Sequence, residues 1–269
     1  MTYTIEETDL ERQHLLAEFL NPVSLNALKN ISLPEHASIL DIGCGLGDTT
    51  LMLNERFPNS TITGLDGDAS LIENATQEKT LLHPNLNFVC ADALHLPFDD
   101  NSFDFVFCRF VLTHIPDAFA VMKEMKRVCK AGGIVFAHET AVIIFQSYPE
   151  TAAYNRLKDV MTSLFANAGF GRKLIHHFKE LEFKEIEHDA QGVLGDHPSI
   201  LKRFFSMTAV AMRNAIIEKK LMTDDEVAAW IRELKRIEHD ENFIIIPFLL
   251  IAVWGIKDEL SFEPALIIE

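Results

Sequence analysis

The sequence is short of positive charge. Its 24 lysines and arginines stand against 40 aspartates and glutamates, which gives a net charge of −16. A surface this acidic repels phosphate backbones unless a local basic patch compensates. The most basic stretch, residues 123–130, has the spacing of the outer face of a helix. We therefore expect no nucleic-acid partner.

Cysteines and long apolar runs are also scarce. None of the four cysteines belongs to a CxxC pair, and three lie in or beside strand-like runs, which is typical of reduced thiols in a cytoplasmic protein. The longest uncharged apolar run, Phe243–Ile256, is shorter than the roughly 20 residues of a membrane-spanning helix and contains Pro247. The acidic N-terminal segment lacks the apolar core of a signal peptide. These features predict a cytoplasmic protein without a membrane span.

Short apolar segments alternate with amphipathic ones along the first half of the chain. This alternation predicts a mostly parallel, Rossmann-like α/β sheet with helices on both faces. A run that is apolar on both faces near the end of the chain is expected inside the sheet. We predict seven strands, at residues 38–42, 61–65, 86–90, 103–108, 134–137, 183–193 and 243–254.

The second half is mostly helical, over residues 149–167 and 199–234. The chain shows no internal repeat and no linker, so its 269 residues are expected to form one domain. We predict a cofactor-binding core at 1–140, helical insertions forming a lid at 141–240 around one strand, and the terminal sheet strand at 241–257.

A glycine-rich loop follows the first strand. Gly43, Gly45 and Gly47 allow the backbone to turn sharply and let a ligand approach closely. Open α/β sheets bind ligands beyond the carboxyl ends of their strands, where this loop is expected. Asp66 ends the second strand, and its carboxylate can accept both hydroxyls of a ribose. The pattern predicts a nucleoside-binding site.

Carboxylates distinguish between the possible nucleosides. A dinucleotide fingerprint needs a small residue at position 48, where this sequence has Asp48, which we also expect to cap the following helix. Asp41 and Asp48 would repel a pyrophosphate, which binds bare amides at a helix N-terminus. They would attract the sulfonium and ammonium of S-adenosylmethionine. The charge pattern favours S-adenosylmethionine over NAD.

Five stretches, in the right order, resemble the class I S-adenosylmethionine-dependent methyltransferases, in the type-11 group related to quinone-biosynthesis enzymes. They are residues 39–48, 64–67, 91–98, 103–117 and 125–133. The resemblance implies an antiparallel C-terminal strand. It also implies methyl transfer to oxygen, nitrogen or carbon of a small, partly apolar acceptor, with S-adenosylhomocysteine as product.

The resemblance implies roles for individual residues. The glycine loop passes under the methionine part of the cofactor, and Asp41 faces its amino group. Asp66 binds the ribose, with Gly67 beside the adenine. Asp92 and Ala93 match the position that hydrogen-bonds the adenine amine, although Asp92 could instead only cap its own loop.

Two arginines are implied at the methionine end of the cofactor. Arg109, just past the fourth strand, lines this end. Arg12 in the N-terminal helix is a candidate partner for the cofactor carboxylate, with Gln13 and Tyr3 as weaker options. Arg12 could equally be a surface salt-bridge residue.

A general base is required only when the acceptor nucleophile arrives protonated. The four candidates are His114, His138, Glu139 and Tyr148. His114 could instead steady the loop after the fourth strand with a hydrogen bond. We predict no metal site, since the adjacent His176 and His177 are expected to point to different faces of a helix.

Apolar residues of the second half could cover the acceptor, or could be ordinary core positions of amphipathic helices. They are 143–148, Phe165, Phe170, 204–207 and Met212. Besides a methyltransferase, which could form a homodimer, two alternatives stay open. One is a non-catalytic S-adenosylmethionine-binding protein, and the other an NAD-dependent oxidoreductase.

Overall fold

The computed structural model describes residues 7–195 and 200–258, except for the side chains of residues 7, 8 and 142–144. Within this part, seven strands form one sheet in the order β3-β2-β1-β4-β5-β7-β6. Strands β1 to β5 are parallel, and β7 runs antiparallel to both β5 and β6. The predicted fold class and the antiparallel C-terminal strand are confirmed. The strands are β1 (Ser38–Ile42), β2 (Thr61–Asp66), β3 (Leu86–Cys90), β4 (Phe103–Arg109), β5 (Cys129–Tyr148), β6 (Lys184–Gly192) and β7 (Ile244–Ile256).

Nine α-helices are assigned in the described residues. They are α1 (Glu7–Ala27), α2 (Asp48–Arg56), α3 (Ala69–Lys79), α4 (Ala118–Val128), α5 (Ala152–Leu164), α6 (Leu174–Glu180), α7 (Ile200–Ala211), α8 (Arg213–Glu218) and α9 (Asp224–Glu238). Short 3₁₀ helices follow α1 at Leu28–Asn30 and precede α6 at Phe170–Lys173. No helix within the described ranges is both long and apolar enough to cross a membrane.

Two local expectations were wrong. The N-cap of α2 is Gly47, in the left-handed conformation, and Asp48 is the first helical residue. Strand β5 begins at Cys129, directly after α4, and extends far beyond the predicted 134–137 because β7 pairs with it as far as Tyr148. The long β5 therefore projects past the carboxyl ends of the neighbouring parallel strands.

An aromatic row crosses one face of the sheet. Phe107 and Phe136 stack at 5.2 Å between ring centroids, and Phe136 stacks on Trp254 at 5.6 Å. This row joins β4, β5 and β7. It belongs to a hydrophobic core that also contains residues from the end of α1 and from α2. Burial of each such ring contributes roughly 1.5–3 kcal/mol to folding. The central strands are therefore a rigid base for the loops at their carboxyl ends.

The helices of the second half share a second core with α1. Buried side chains of α5, α7 and α9 form this core together with Leu20 of α1. Trp230 of α9 donates its indole N–H to the carbonyl of Ala153 at 2.9 Å. Thr223 and Glu226 form a capping box that begins α9. Helix α1 thus lies between the second-half helices and the glycine-rich loop.

All four cysteines are free thiols. Cys44, Cys108 and Cys129 are buried, whereas Cys90 is exposed.

Candidate functional site

The glycine-rich loop uses its glycines for conformation and for close packing. Gly43, Gly45 and Gly47 have φ angles of 72°, 55° and 78°, in the left-handed region that favours glycine. A Cβ atom on Gly43 would lie 2.0 Å from Cγ2 of Val111, and one on Gly47 would lie 2.8 Å from the ring of Phe88. Side chains are therefore excluded at both ends of the loop.

Most N–H groups of the loop already have partners. The amides of Gly43 and Cys44 donate to the carbonyl of Leu65 at 2.7 and 3.0 Å, and that of Gly47 donates to the carbonyl of Cys44. The amide of Gly45 donates to Oδ2 of Asp66 at 3.0 Å. A pyrophosphate needs free amides at this position, so the loop offers it little.

Asp66 is half-buried at the end of β2, and both of its carboxylate oxygens are fixed. Oδ2 accepts the amide of Gly45, and Oδ1 accepts the amide of Asp68 at 3.0 Å. A carboxylate has about four lone-pair sites, so each oxygen can accept one further hydrogen bond. The carboxylate is held in place for two donors, as two neighbouring hydroxyls would supply.

Asp41 lies behind the loop, with its side chain 1% exposed. Its carboxyl accepts a hydrogen bond from Oγ1 of Thr50 at 2.7 Å, and burial raises its pKa to about 7 despite that bond and the charge of Arg109. The structure thus gives Asp41 a buried structural partner where an exposed cofactor contact was expected. At neutral pH it also carries less charge than the sequence argument assumed.

The charge of Asp48 is compensated. Its carboxylate lies 2.6 Å from Nδ1 of His14 and 3.1 Å from Nζ of the buried Lys79. Asp48 therefore repels a pyrophosphate less than the sequence suggested. The preference for a phosphate-free ligand depends instead on the occupied amides of the loop.

Arg109 does not line an open cleft. It is buried and donates to Oδ1 of Asn21 at 2.9 Å, Oγ of Ser24 at 3.1 Å and Oγ1 of Thr49 at 2.6 Å. Burial lowers its pKa to about 10. Arg109 ties α1 and α2 to the end of β4, and its expected contact with the methionine end of the cofactor stays a prediction.

His138 is sealed inside the same network. Its ring nitrogen Nδ1 lies 3.1 Å from Oγ of Ser24, and the residue is 1% exposed. Burial, together with the charge of Arg109, lowers its pKa to about 3. An imidazole that is enclosed and has so low a pKa cannot take a proton from an acceptor, so His138 is a structural residue. Sequence reasoning missed Ser24 and Asn21, although polar residues within the apolar part of α1 were a visible signal.

Glu139 is 0% exposed and faces the loop that follows β4. Its Oε1 accepts the amides of Val111 at 2.8 Å and Leu112 at 2.7 Å. Burial raises the pKa of Glu139 to about 8, against the effect of these bonds.

His114 and Arg12 lie near each other beyond the end of β4. The ring of His114 packs edge-on against Phe165 at 4.7 Å, and its pKa is lowered by burial and by the charge of Arg12. The guanidinium of Arg12 lies 6.0 Å from the ring centroid of Phe204 and pairs with Asp9 at 2.8 Å. His114 retains solvent access, unlike His138 and Glu139.

Gln13, the weaker option, lies against the glycine-rich loop. Its Oε1 would be 3.1 Å from a Cβ on Gly45. Helix α1 therefore brings both Arg12 and Gln13 to this end of the sheet. Tyr3 lies outside the described residues.

The remaining predicted residues are more exposed. Asp92 accepts the amide of its own loop residue Leu94 at 2.9 Å, which matches the capping alternative, and Ala93 is half-buried. Gly67 is exposed, and only ordinary contact would meet a Cβ there. Tyr148 is 76% exposed at the tip of β5, so the structure does not bring it together with His114.

The expected lid residues divide between the core and the surface of the second half. Phe170, Phe204 and Phe205 are buried core residues, whereas Phe165 and Met212 are half-buried. The side chains of residues 143 and 144 lie outside the described part.

The adjacent histidines do not diverge as expected. Nε2 of His176 and Nδ1 of His177 lie 3.8 and 3.1 Å from the same carboxylate oxygen of Glu180. These three donor atoms lie within 4.8 Å of one another, which corrects the expectation that the two rings face apart. Glu180 already pairs with both rings on the surface of α6.

Comparison with known proteins agrees with this geometry. Residues 40–137 match the model of a methyltransferase domain family, the type-11 methyltransferases. The chain is 39% identical over 115 residues to demethylmenaquinone methyltransferase from Staphylococcus aureus, a match that covers 42% of this chain and 47% of the relative. The chain thus matches about half the length of its curated relatives.

Two solved structures share the fold. The YcgJ protein from Bacillus subtilis is 21% identical, with a TM-score of 0.60 over 92% of this chain and 99% of its own. Phosphoethanolamine N-methyltransferase 2 from Haemonchus contortus, solved with phosphomonomethylethanolamine and S-adenosylhomocysteine, is 16% identical. Its TM-score is 0.60 over 96% of this chain and 59% of its own.

The sheet order and the glycine-rich loop define a class I methyltransferase fold. More specifically, residues 40–137 match the type-11 methyltransferase domain family.

Proposed function

We propose that the protein transfers the methyl group of S-adenosylmethionine to a small, partly apolar acceptor. The observation that carries the proposal is the link between Asp66 and Gly45, which fixes against a glycine-rich loop the carboxylate that we propose binds the ribose. The type-11 domain and its curated relative, named as a demethylmenaquinone methyltransferase, support the reaction class.

The loop suits a nucleoside without a phosphate. Gly43, Gly45 and Gly47 leave the loop with few side chains that could obstruct a ligand, and Asp66 keeps one free acceptor position on each oxygen. The loop amides that already donate hydrogen bonds within the protein disfavour NAD, the weaker alternative. Asp92 and Ala93 would then lie on the adenine side. Arg12 and Gln13 of α1 would lie on the methionine side.

The acceptor would enter between α1, the loop after β4 and the second-half helices. Half-buried aromatic rings occur here on all three elements, at Phe19, Phe110 and Phe165. Such rings suit a flat apolar acceptor, and Arg12 adds a positive charge for an anionic or hydroxyl group. We propose that residues 141–240 form the lid over this entrance.

S-adenosylmethionine, when bound, supplies a methyl group on a strongly activated sulfonium. The protein's tasks are then alignment of the acceptor and exclusion of water. His114 is the candidate base that best fits the geometry, because it keeps solvent access beside the proposed entrance. Its lowered pKa leaves the ring neutral at pH 7 and able to accept a proton.

Titration calorimetry of the whole chain with S-adenosylmethionine, S-adenosylhomocysteine and NAD tests the cofactor. Binding of both adenosyl ligands without NAD is expected, and NAD binding alone would overturn the proposal. Release of S-adenosylhomocysteine with a panel of phenols, quinols and amines then tests catalysis. Binding without turnover of any acceptor would favour a non-catalytic S-adenosylmethionine-binding protein.

A further inference from the structure

We propose that Glu139 is a positioning residue, which fixes the loop after β4 against the glycine-rich loop, and that it is not the general base. The inference rests on the proposed function for its catalytic consequence. Its structural part stands on contacts within the protein alone.

The side chain of Glu139 fixes the first turn of the loop after β4. One oxygen, Oε1, accepts two successive amides, those of Val111 and Leu112. The residue before them, Phe110, has a φ of 58°, which is uncommon for a non-glycine residue. A strained turn of this kind persists only when its surroundings hold it, and a buried carboxyl bonded to two amides does so.

The held turn touches the glycine-rich loop directly. Cγ2 of Val111 occupies the position next to Gly43, so close that a Cβ on Gly43 would lie only 2.0 Å away. A shift of the Val111 backbone would therefore move or release the loop at its first glycine. Glu139 acts on the proposed cofactor site through Val111.

The far end of the same loop has a separate support. Thr113 and Asn167 exchange hydrogen bonds, and the amide of Asn167 Nδ2 donates to the carbonyls of Ile115 and Pro116. Loss of Glu139 should accordingly loosen residues 111 and 112 and leave residues 115 and 116 in place.

The geometry argues against Glu139 as a base. Its side chain is fully enclosed, and Oε1 is already shared by two amides. The other oxygen, Oε2, is buried and has no hydrogen-bond partner among the described residues. An acceptor outside cannot reach either oxygen without opening the turn that Glu139 holds.

Glu139→Gln separates the two roles, because glutamine keeps a carbonyl oxygen for both amides but cannot act as a base. Glu139→Ala removes both functions. Thr140→Val is the matched control, since Thr140 is the next residue of β5 and its buried hydroxyl also has no partner within the described part of the chain.

Hydrogen exchange at the amides of Val111 and Leu112 is the first measurement, and affinity for S-adenosylhomocysteine is the second. Glu139→Gln and Thr140→Val should keep both within about twofold of the parent, whereas Glu139→Ala should lose amide protection and about tenfold or more in affinity. In turnover assays Glu139→Gln should keep kcat.

A Glu139→Gln variant with normal affinity and exchange but with kcat reduced about a hundredfold or more would establish the base role and overturn the proposal. Unchanged exchange in a folded Glu139→Ala protein would overturn it as well. If Glu139→Ala does not fold, the kcat of Glu139→Gln still decides between the positioning role and the base role. Failure of the parent to bind S-adenosylhomocysteine would refute the proposed function but leave the exchange result interpretable.

Discussion

Oδ2 of Asp66 accepts the backbone amide of Gly45 at 3.0 Å, which joins the end of β2 to the middle of the glycine-rich loop. The two sequence features that first suggested a nucleoside site are therefore one structural unit. A substitution at Asp66 should act on ligand affinity and on the loop together.

Asp66→Ala should weaken binding of S-adenosylhomocysteine by about a hundredfold or more, because it removes two hydrogen bonds to a charged group, worth roughly 1.5–3 kcal/mol each. Titration calorimetry measures the loss. Asp117→Ala is the matched control, since Asp117 is an exposed carboxylate that caps α4 outside the proposed site, and its effect should be several-fold smaller. Equal affinity of Asp66→Ala and the parent would contradict the ribose role.

Gly43→Ala should be strongly destabilising, since the new methyl group would overlap Val111 and the backbone φ is positive. Gly132→Ala separates these causes: its φ is 74°, but no atom lies within 4 Å of the new Cβ. That control should lose only about 1–2 kcal/mol of unfolding free energy. Gly43→Ala combined with Val111→Ala should recover part of the loss in urea denaturation. A double variant no more stable than Gly43→Ala would exclude the steric explanation.

The sequence predicted the fold well because hydrophobic periodicity and strand order are local signals. The glycine loop and Asp66 were found for the same reason. Charge was a poorer guide. Asp48 looked like a free carboxylate, but Lys79, distant in sequence, pairs with it.

Burial decides where Arg109 and His138 lie. Arg109 was expected near the ligand from the family resemblance and His138 from its place at the end of the fifth strand, yet α1 covers them with Ser24 and Asn21. The docking of α1 depends on tertiary packing that periodicity cannot reveal.

Arg109→Met should lower the unfolding free energy by about 3 kcal/mol, because it leaves the oxygens of Asn21, Ser24 and Thr49 without their donor. It should also raise the pKa of His138, which the charge of Arg109 lowers. Urea denaturation and imidazole NMR titration measure the two effects. Arg203→Met, at an exposed residue paired with Glu11, should change neither. An unchanged His138 titration would show that burial alone sets that pKa.

The pH dependence of stability should reveal the buried carboxyls. The folded pKa values of Glu139 and Asp41 are about 8 and about 7, above the ordinary values of 4.5 and 3.8. Each group contributes stability that is fully present below its ordinary pKa and is lost as the pH rises through its folded pKa. His138 acts in the opposite direction. Its folded pKa of about 3 lies below 6.5, so the unfolded chain gains a proton first as the pH falls, which lowers stability.

Two carboxyls act in one direction and one histidine in the other. As the pH rises from 5 to 7, these three groups together should lower the unfolding free energy, with a slope on the order of −1 kcal/mol per pH unit. Glu139→Gln removes one carboxyl and should make the slope of unfolding free energy less negative, up to about pH 8. Thr140→Val should keep the parent slope. Urea denaturation at half-unit pH steps gives the unfolding free energies of variant and parent at each pH. Their difference cancels the titration of all other groups. Parallel curves for Glu139→Gln and the parent would show that Glu139 is ionised in the folded protein, with its unpartnered oxygen solvated by water.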